Sequence, residues 1–165
     1  MAARQPLILL LAWLLASGCA GISRTPTPRV TELASAGDDV YRASQRLVIE
    51  GLDADARGET ARARSRFERA LQIDASNPWA YLALARHHVD AGDGAAALSH
   101  LDRAEALLES QGEPSRGATL HCDGLRGAAL ALTGRVGEAR VLLDEVAREA
   151  PDVWGDGRLS AAELR

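Results

Sequence analysis

"PWAYLALARHHVDAGDGAAALSHLDRAE", Pro78 to Glu105, reads as two helices joined at a glycine. The first runs to Asp90. Gly92 is followed by the polar Asp93, and the second helix places Ala97 four residues before the apolar Leu101. The same layout recurs on either side. "SQRLVIEGLDADARGETARARSRFERAL" begins at Ser44 and turns at Gly58-Glu59. "LHCDGLRGAALALTGRVGEARVLLDEVA" begins at Leu120 and turns at Gly134-Arg135. Gly58 and Gly92 are 34 residues apart, and Gly92 and Gly134 are 42 apart, the same period with an eight-residue insertion. A fixed period of this length is the mark of a stacked repeat architecture.

Composition agrees with closely stacked helices. The chain of 165 residues is 47% hydrophobic but only 4% aromatic, so its core must be built from Ala, Leu and Val. All 19 basic residues are arginine, and the net charge of −4 gives no reason to expect a nucleic-acid partner, which would need a basic surface.

The three segments resemble the tetratricopeptide repeat, whose period is 34 residues. The middle one carries Tyr81, Leu84, Ala85 and His88, then Ala97, Leu101 and Ala104 at the family's spacing. The first has Leu47, Glu50, Gly51 and Ala54, then Ala63, Phe67 and Ala70. The third has Asp123, Arg126, Gly127 and Leu130, then Ala139, Leu143, Val146 and Pro151. The resemblance implies an all-α solenoid of three helix-turn-helix repeats, at about 44–77, 78–111 and 120–153, in a domain spanning 38–151. Gly51, Ala85 and Gly127 are small so that paired helices approach closely. Phe67, Leu101 and Leu143 insert into the next layer. Glu50, Asp123 and Arg126 depart from the family's apolar pattern, so the third repeat's first helix is expected to be rotated or partly exposed, with Leu120, Leu125 and Leu132 carrying its contacts. Residues Gly112 to Thr119 are expected to lengthen a loop.

Upstream, Arg4 precedes the apolar run Leu7–Ala16, which ends in Ser17 and Gly18. Charge, greasy core and small exit residues make a secretory signal over 1–18. The run is too short for a permanent membrane span, which needs about 20 residues. "LASGC" resembles the lipobox of bacterial lipoproteins, which implies lipidation of Cys19 and cleavage before it; Ala16 stands where that family prefers Leu. The alternative is ordinary cleavage near Ala20. Two or three acyl chains anchor stably where one does not. Ala20, rather than Asp, after the cysteine implies the outer membrane, with the protein facing the periplasm. The stretch 19–37 reads as a lipid-anchored flexible spacer, rich in Pro, Thr and Ser. Cys122 is then the remaining thiol, read as buried and inert rather than reactive.

Function is expected on the concave face that stacked helix pairs form. Carried over from the resemblance, the first helices line it with Gln45, Val48, Leu52, Trp79, Leu82, Arg86, Val89, His121 and Gly124. Trp79 and Arg86 are the expected anchors for a protein or peptide partner, since these residue types dominate interface hot spots; for Trp79 the alternative is an interface between repeats. The arginines Arg57, Arg62, Arg64, Arg66 and Arg69 read as a solvated face, with contact to anionic lipid the rival reading.

The tail 152–165 reads as a turn and a short helix, with Trp154 and Leu159 covering the last repeat's open end. It also resembles an EF-hand loop through Asp152, Asp156, Ser160 and Glu163, with Trp154 in place of an oxygen ligand. No nucleophile–base pairing, zinc signature or phosphate loop is visible, and no cofactor is expected. The sequence therefore reads as a non-catalytic scaffold or adaptor in an envelope assembly or secretion machine. A calcium-responsive module and an accessory subunit of a peptidoglycan enzyme are the alternatives.

Overall fold

The computed structural model describes residues 27–33, 38–112 and 114–165. The signal stretch, Cys19 and most of the spacer lie outside the described residues. The elements are α1 (Val30–Leu33), α2 (Asp39–Ala56), α3 (Thr60–Ile73), α4 (Pro78–Asp90), α5 (Gly94–Ser110), α6 (Arg116–Leu132), α7 (Val136–Glu149), α8 (Pro151–Trp154) and α9 (Ala161–Leu164). Among the described residues there is no strand. Helices α2/α3, α4/α5 and α6/α7 pack as three hairpins, and each hairpin stacks on the next. The first helices α2, α4 and α6 also touch one another and form the inner layer. The protein is an α-solenoid.

Local chemistry sets the helix ends. Asp38, Asn77, Asp93 and Ser115 accept hydrogen bonds from Tyr41, Trp79, Ala96 and Ala118 backbone N–H groups, and Pro78 opens α4. Such caps satisfy donors that a helix start leaves unpaired. The three hairpin turns are alike. Gly58, Gly92 and Gly134 have φ of 75°, 78° and 83°. The next residue's N–H then returns to a carbonyl five residues earlier: Glu59 to Ala54 (2.9 Å), Asp93 to His88 (2.8 Å) and Arg135 to Leu130 (2.9 Å). This is the left-handed helix stop that glycine makes without strain.

The close approaches inside hairpins follow the expected residues. A Cβ placed on Gly51 would lie 2.3 Å from the Phe67 ring, and one on Gly127 would lie 2.9 Å from Leu143 Cγ. Phe67, Leu101, Ala63 and Ala97 are fully buried.

Two expectations about the third repeat need correction. The insertion does not mainly lengthen a loop. Helix α5 has 17 residues against 14 in α3, and α6 has 17 against 13 in α4. The extra chain extends both helices by nearly a turn each, because Ser115 caps α6 inside the inserted stretch. Nor is α6 partly exposed. Leu120 and Leu125 are buried as expected, but Leu132 is exposed and the contacts are shared along most of the helix. The polar departures are used at the interface between helices. Arg126 on α6 donates to Glu105 (2.7 Å) and Asp102 (2.9 Å) on α5. Arg116 ties the start of α6 to Glu145 (2.7 Å) and Glu149 (2.9 Å) on α7.

The tail also departs from expectation. Trp154 and Leu159 are buried, but not as a lid on the open end of the solenoid. Helix α8 turns off α7, and α9 comes to rest against α2 and α4. The chain crosses the inner layer from the third hairpin back to the first. The apolar side chains of Trp154, Leu159 and Leu164 are better buried between three first helices than on the single open face of α7.

Candidate functional site

The first helices bring the expected groove residues onto one side. Gln45, Val48 and Leu52 come from α2, Trp79, Leu82, Arg86 and Val89 from α4, and His121 and Gly124 from α6. All are buried except the half-buried Val89. What covers them is the chain itself. From the C-terminus come Trp154, Leu159 and Leu164; from the N-terminal side comes Val30 on α1, which packs on α2. The two ends meet there, where Thr31 N–H donates to the Arg165 carbonyl (2.9 Å) and Arg165 pairs with Asp53. Part of the stretch read as flexible spacer is thus docked in the groove.

His121 sits at the centre. Its ring stands edge-on to Trp79 (centroids 6.4 Å apart) and tilted to Trp154 (6.5 Å). Nε2 lies 3.1 Å from the Pro28 carbonyl, which can only accept, so Nε2 carries the proton. Burial pushes the imidazole down to about 4, so it is neutral near neutral pH. A Cβ on Gly124 would lie 2.4 Å from the Trp154 ring, so this glycine makes room for the tail's tryptophan. Sequence reasoning missed this contact; Gly124 within α6, where glycine is unfavourable, was the available signal.

Trp79 and Arg86 are not presented to an incoming partner. Trp79 is closed in beside Pro28 and His121. The Arg86 guanidinium is buried against Asp55 of α2 and donates to Asp90 (2.7 Å). His87 Nδ1 lies 3.2 Å from the same Asp55 carboxylate. Arg86 therefore ties α4 to α2, because a buried guanidinium must find a carboxylate. Its neighbour His88 stacks on His100 of α5 (5.2 Å).

The inner face is not closed along its whole length. Towards the third hairpin a cavity of about 350 Å³ remains, lined by Val89, Leu125, Ala128, Leu132 and Leu143, with Arg86, Asp90 and Arg158 supplying charge. Trp154 and Leu159 form its wall on the tail side. A second cavity of about 250 Å³ lies between α5 and α6, beside Glu105, Asp123, Arg126 and Cys122. Burial pushes the Cys122 thiol up to about 12, which makes it unreactive.

The other candidates fall into place. The arginines of α3 are engaged: Arg62 with Glu59 (2.9 Å), Arg64 with Glu68 (2.8 Å), Arg66 with Glu50 (3.3 Å) and Arg69 with Gln72 (2.8 Å). Arg57 pairs with Glu59 (2.8 Å). In the tail, Ser160 and Glu163 form a reciprocal capping box on α9, and Asp156 accepts from Arg158 N–H (2.9 Å). Asp152, Asp156 and Glu163 are not gathered into one cluster; among the described residues no group of three or more His, Cys, Asp or Glu side chains is placed to hold a metal ion. No described helix is long and apolar enough to cross a membrane.

A family model described as tetratricopeptide repeat matches residues 56–116, from the end of α2 to the start of α6. No curated protein and no solved structure matches the chain. The match and the stacked hairpins together support a protein-interaction scaffold.

Proposed function

We propose that the protein is a lipid-anchored periplasmic adaptor that holds a protein partner near the outer membrane. The observation that carries the binding part is the cavity beside Val89, Leu125, Ala128 and Leu132: an apolar hollow on the inner face of a helical repeat, with the exposed Asp90 and Arg158 at its edge. Apolar concavities with a few charged groups at the rim are where ligands seat. The anchoring part rests on the signal-like N-terminus and the "SGC" exit ending at Cys19. Its role is to recruit rather than to transform.

The test is in-cell crosslinking and recovery of the Cys19-anchored chain beside an Ala128→Arg/Leu132→Asp variant. The first should return an envelope protein and the second should lose it. Recovery unchanged in the variant moves the binding site elsewhere. Cys19→Ser should release the protein from the membrane fraction; retention there would overturn the anchor.

A further inference from the structure

Part of the inner face is covered by a segment that owes its order to the groove. Pro151–Arg165 contains two helices of four residues each. Helices that short do not persist alone in water, where about 12–15 residues are marginal. Trp154 and Leu164 are fully buried and Leu159 is 4% exposed. These three anchors recur at intervals of five residues. Yet the fit is incomplete. His121 Nδ1 on α6 and Trp154 Nε1 on the tail, whose rings face each other, are both buried without a hydrogen-bond partner. Buried polar groups are normally paired, and an unpaired one weakens the contact that buries it. The outer end of the segment is held at the surface by one backbone hydrogen bond from Thr31 and by the Arg165–Asp53 ion pair between two part-exposed side chains. Such pairs contribute little and are screened by salt.

We propose that Pro151–Arg165 is an exchangeable occupant of the groove, standing in for a partner segment of the same chemistry: a large aromatic side chain followed by two leucines at five-residue intervals, with a polar group that reaches His121. This rests on the adaptor reading above and adds the ligand class and its gate. When the tail leaves, Gly124 and His121, which Trp154 covers, join the neighbouring cavity beside Leu125 and Ala128 in one continuous binding surface. The partner's apparent affinity is reduced by the fraction of time the groove is closed.

The probe is a labelled peptide with the sequence of residues 151–165, added to the full chain. A Trp154→Ala/Leu164→Asp chain, whose own tail lacks two anchors, should bind the peptide at least about tenfold tighter than the unaltered chain. Gly124→Ala should bind none, since its Cβ occupies the space of the tryptophan ring in tail and peptide alike. Should the double tail variant fail to fold, an Asp53→Cys/Arg165→Cys chain joined by a short disulfide-containing crosslinker, which spans the length the arginine side chain covers, supplies the second arm. Its disulfide should abolish uptake, and reduction should restore it. Equal uptake by all chains, uptake by the disulfide-locked chain, or no uptake by any chain overturns the proposal. Envelope-partner recovery by the locked chain separates the two readings. Recovery without peptide exchange keeps the adaptor and removes the gate; peptide exchange without any recovered partner does the reverse.

Discussion

Phe67 in the first hairpin and Leu143 in the third occupy the same repeat position, but they have different surroundings. Phe67 is fully buried, with its ring edge-on to His87 of the next hairpin (6.0 Å). Leu143 is half-buried, and Val136 and Val141 on the same helix are 64% and 66% exposed. Helix α3 has α4 stacked upon it, whereas among the described residues the main cover on the far side of α7 is the single turn of α8. In a solenoid each repeat's second helix is stabilised by its neighbour, so an identical template yields unequal cores. The residues that follow α7 are instead laid along the inner face.

The largest expected difference is between Phe67→Ala and Leu143→Ala. Emptying the fully buried site should cost about 3–5 kcal/mol, and the half-buried one about 1–2 kcal/mol, read by urea denaturation. Equal losses would mean that α7 is covered in solution. Next is pH. His121 in the third hairpin is held down to about 4 from 6.5, so the unfolded chain takes up its proton first. Stability is complete above about 6.5 and falls as pH drops towards 4, by up to ~3 kcal/mol. His121→Leu should flatten that slope, measured as denaturation midpoints at several pH values. His87, His88 and His100, also lowered chiefly by burial, remain in both chains and cancel in the comparison.

A smaller contrast separates the two helix-contact glycines. Gly51→Ala drives a methyl into the rigid Phe67 ring and should destabilise by about 1–2 kcal/mol even after the gain in helix propensity. Gly127→Ala meets Leu143 Cγ at 2.9 Å and the Ala139 carbonyl at 3.2 Å, a milder clash, and should destabilise by less, about 0.5–1 kcal/mol. A thermal melt of each decides it; the reverse order would break the comparison. Smallest of all, Val136→Glu and Val141→Glu should change stability by no more than about 0.5 kcal/mol, since both side chains already face solvent.

The hairpins were legible in sequence because their signals are local. The turn glycines recur at fixed intervals, and Gly51 faces Phe67 within one helix pair. The destination of the tail was not legible. Trp154 is thirty residues from Gly124, and neither carries a mark of the other beyond a glycine in a helix and an apolar residue near a terminus. The same holds for Arg86: a lone arginine on an inner face reads as an anchor until Asp55, on another helix, is seen to hold it. Local rules give elements; which surface a terminal segment covers depends on long-range burial.

The docking of Pro28–Val30 also changes how far the protein can explore. If Cys19 carries the proposed lipid, nine residue steps separate it from the docked Pro28, and these span at most about 30 Å when fully extended. On the anchor proposed above, the groove would be confined to a shallow layer above the bilayer rather than swinging on the longer leash that 19–37 implies. A partner fixed in the same membrane would meet it at a high effective concentration, in the millimolar regime typical of short tethers. Affinity between the two can then be weak, and the encounter still frequent.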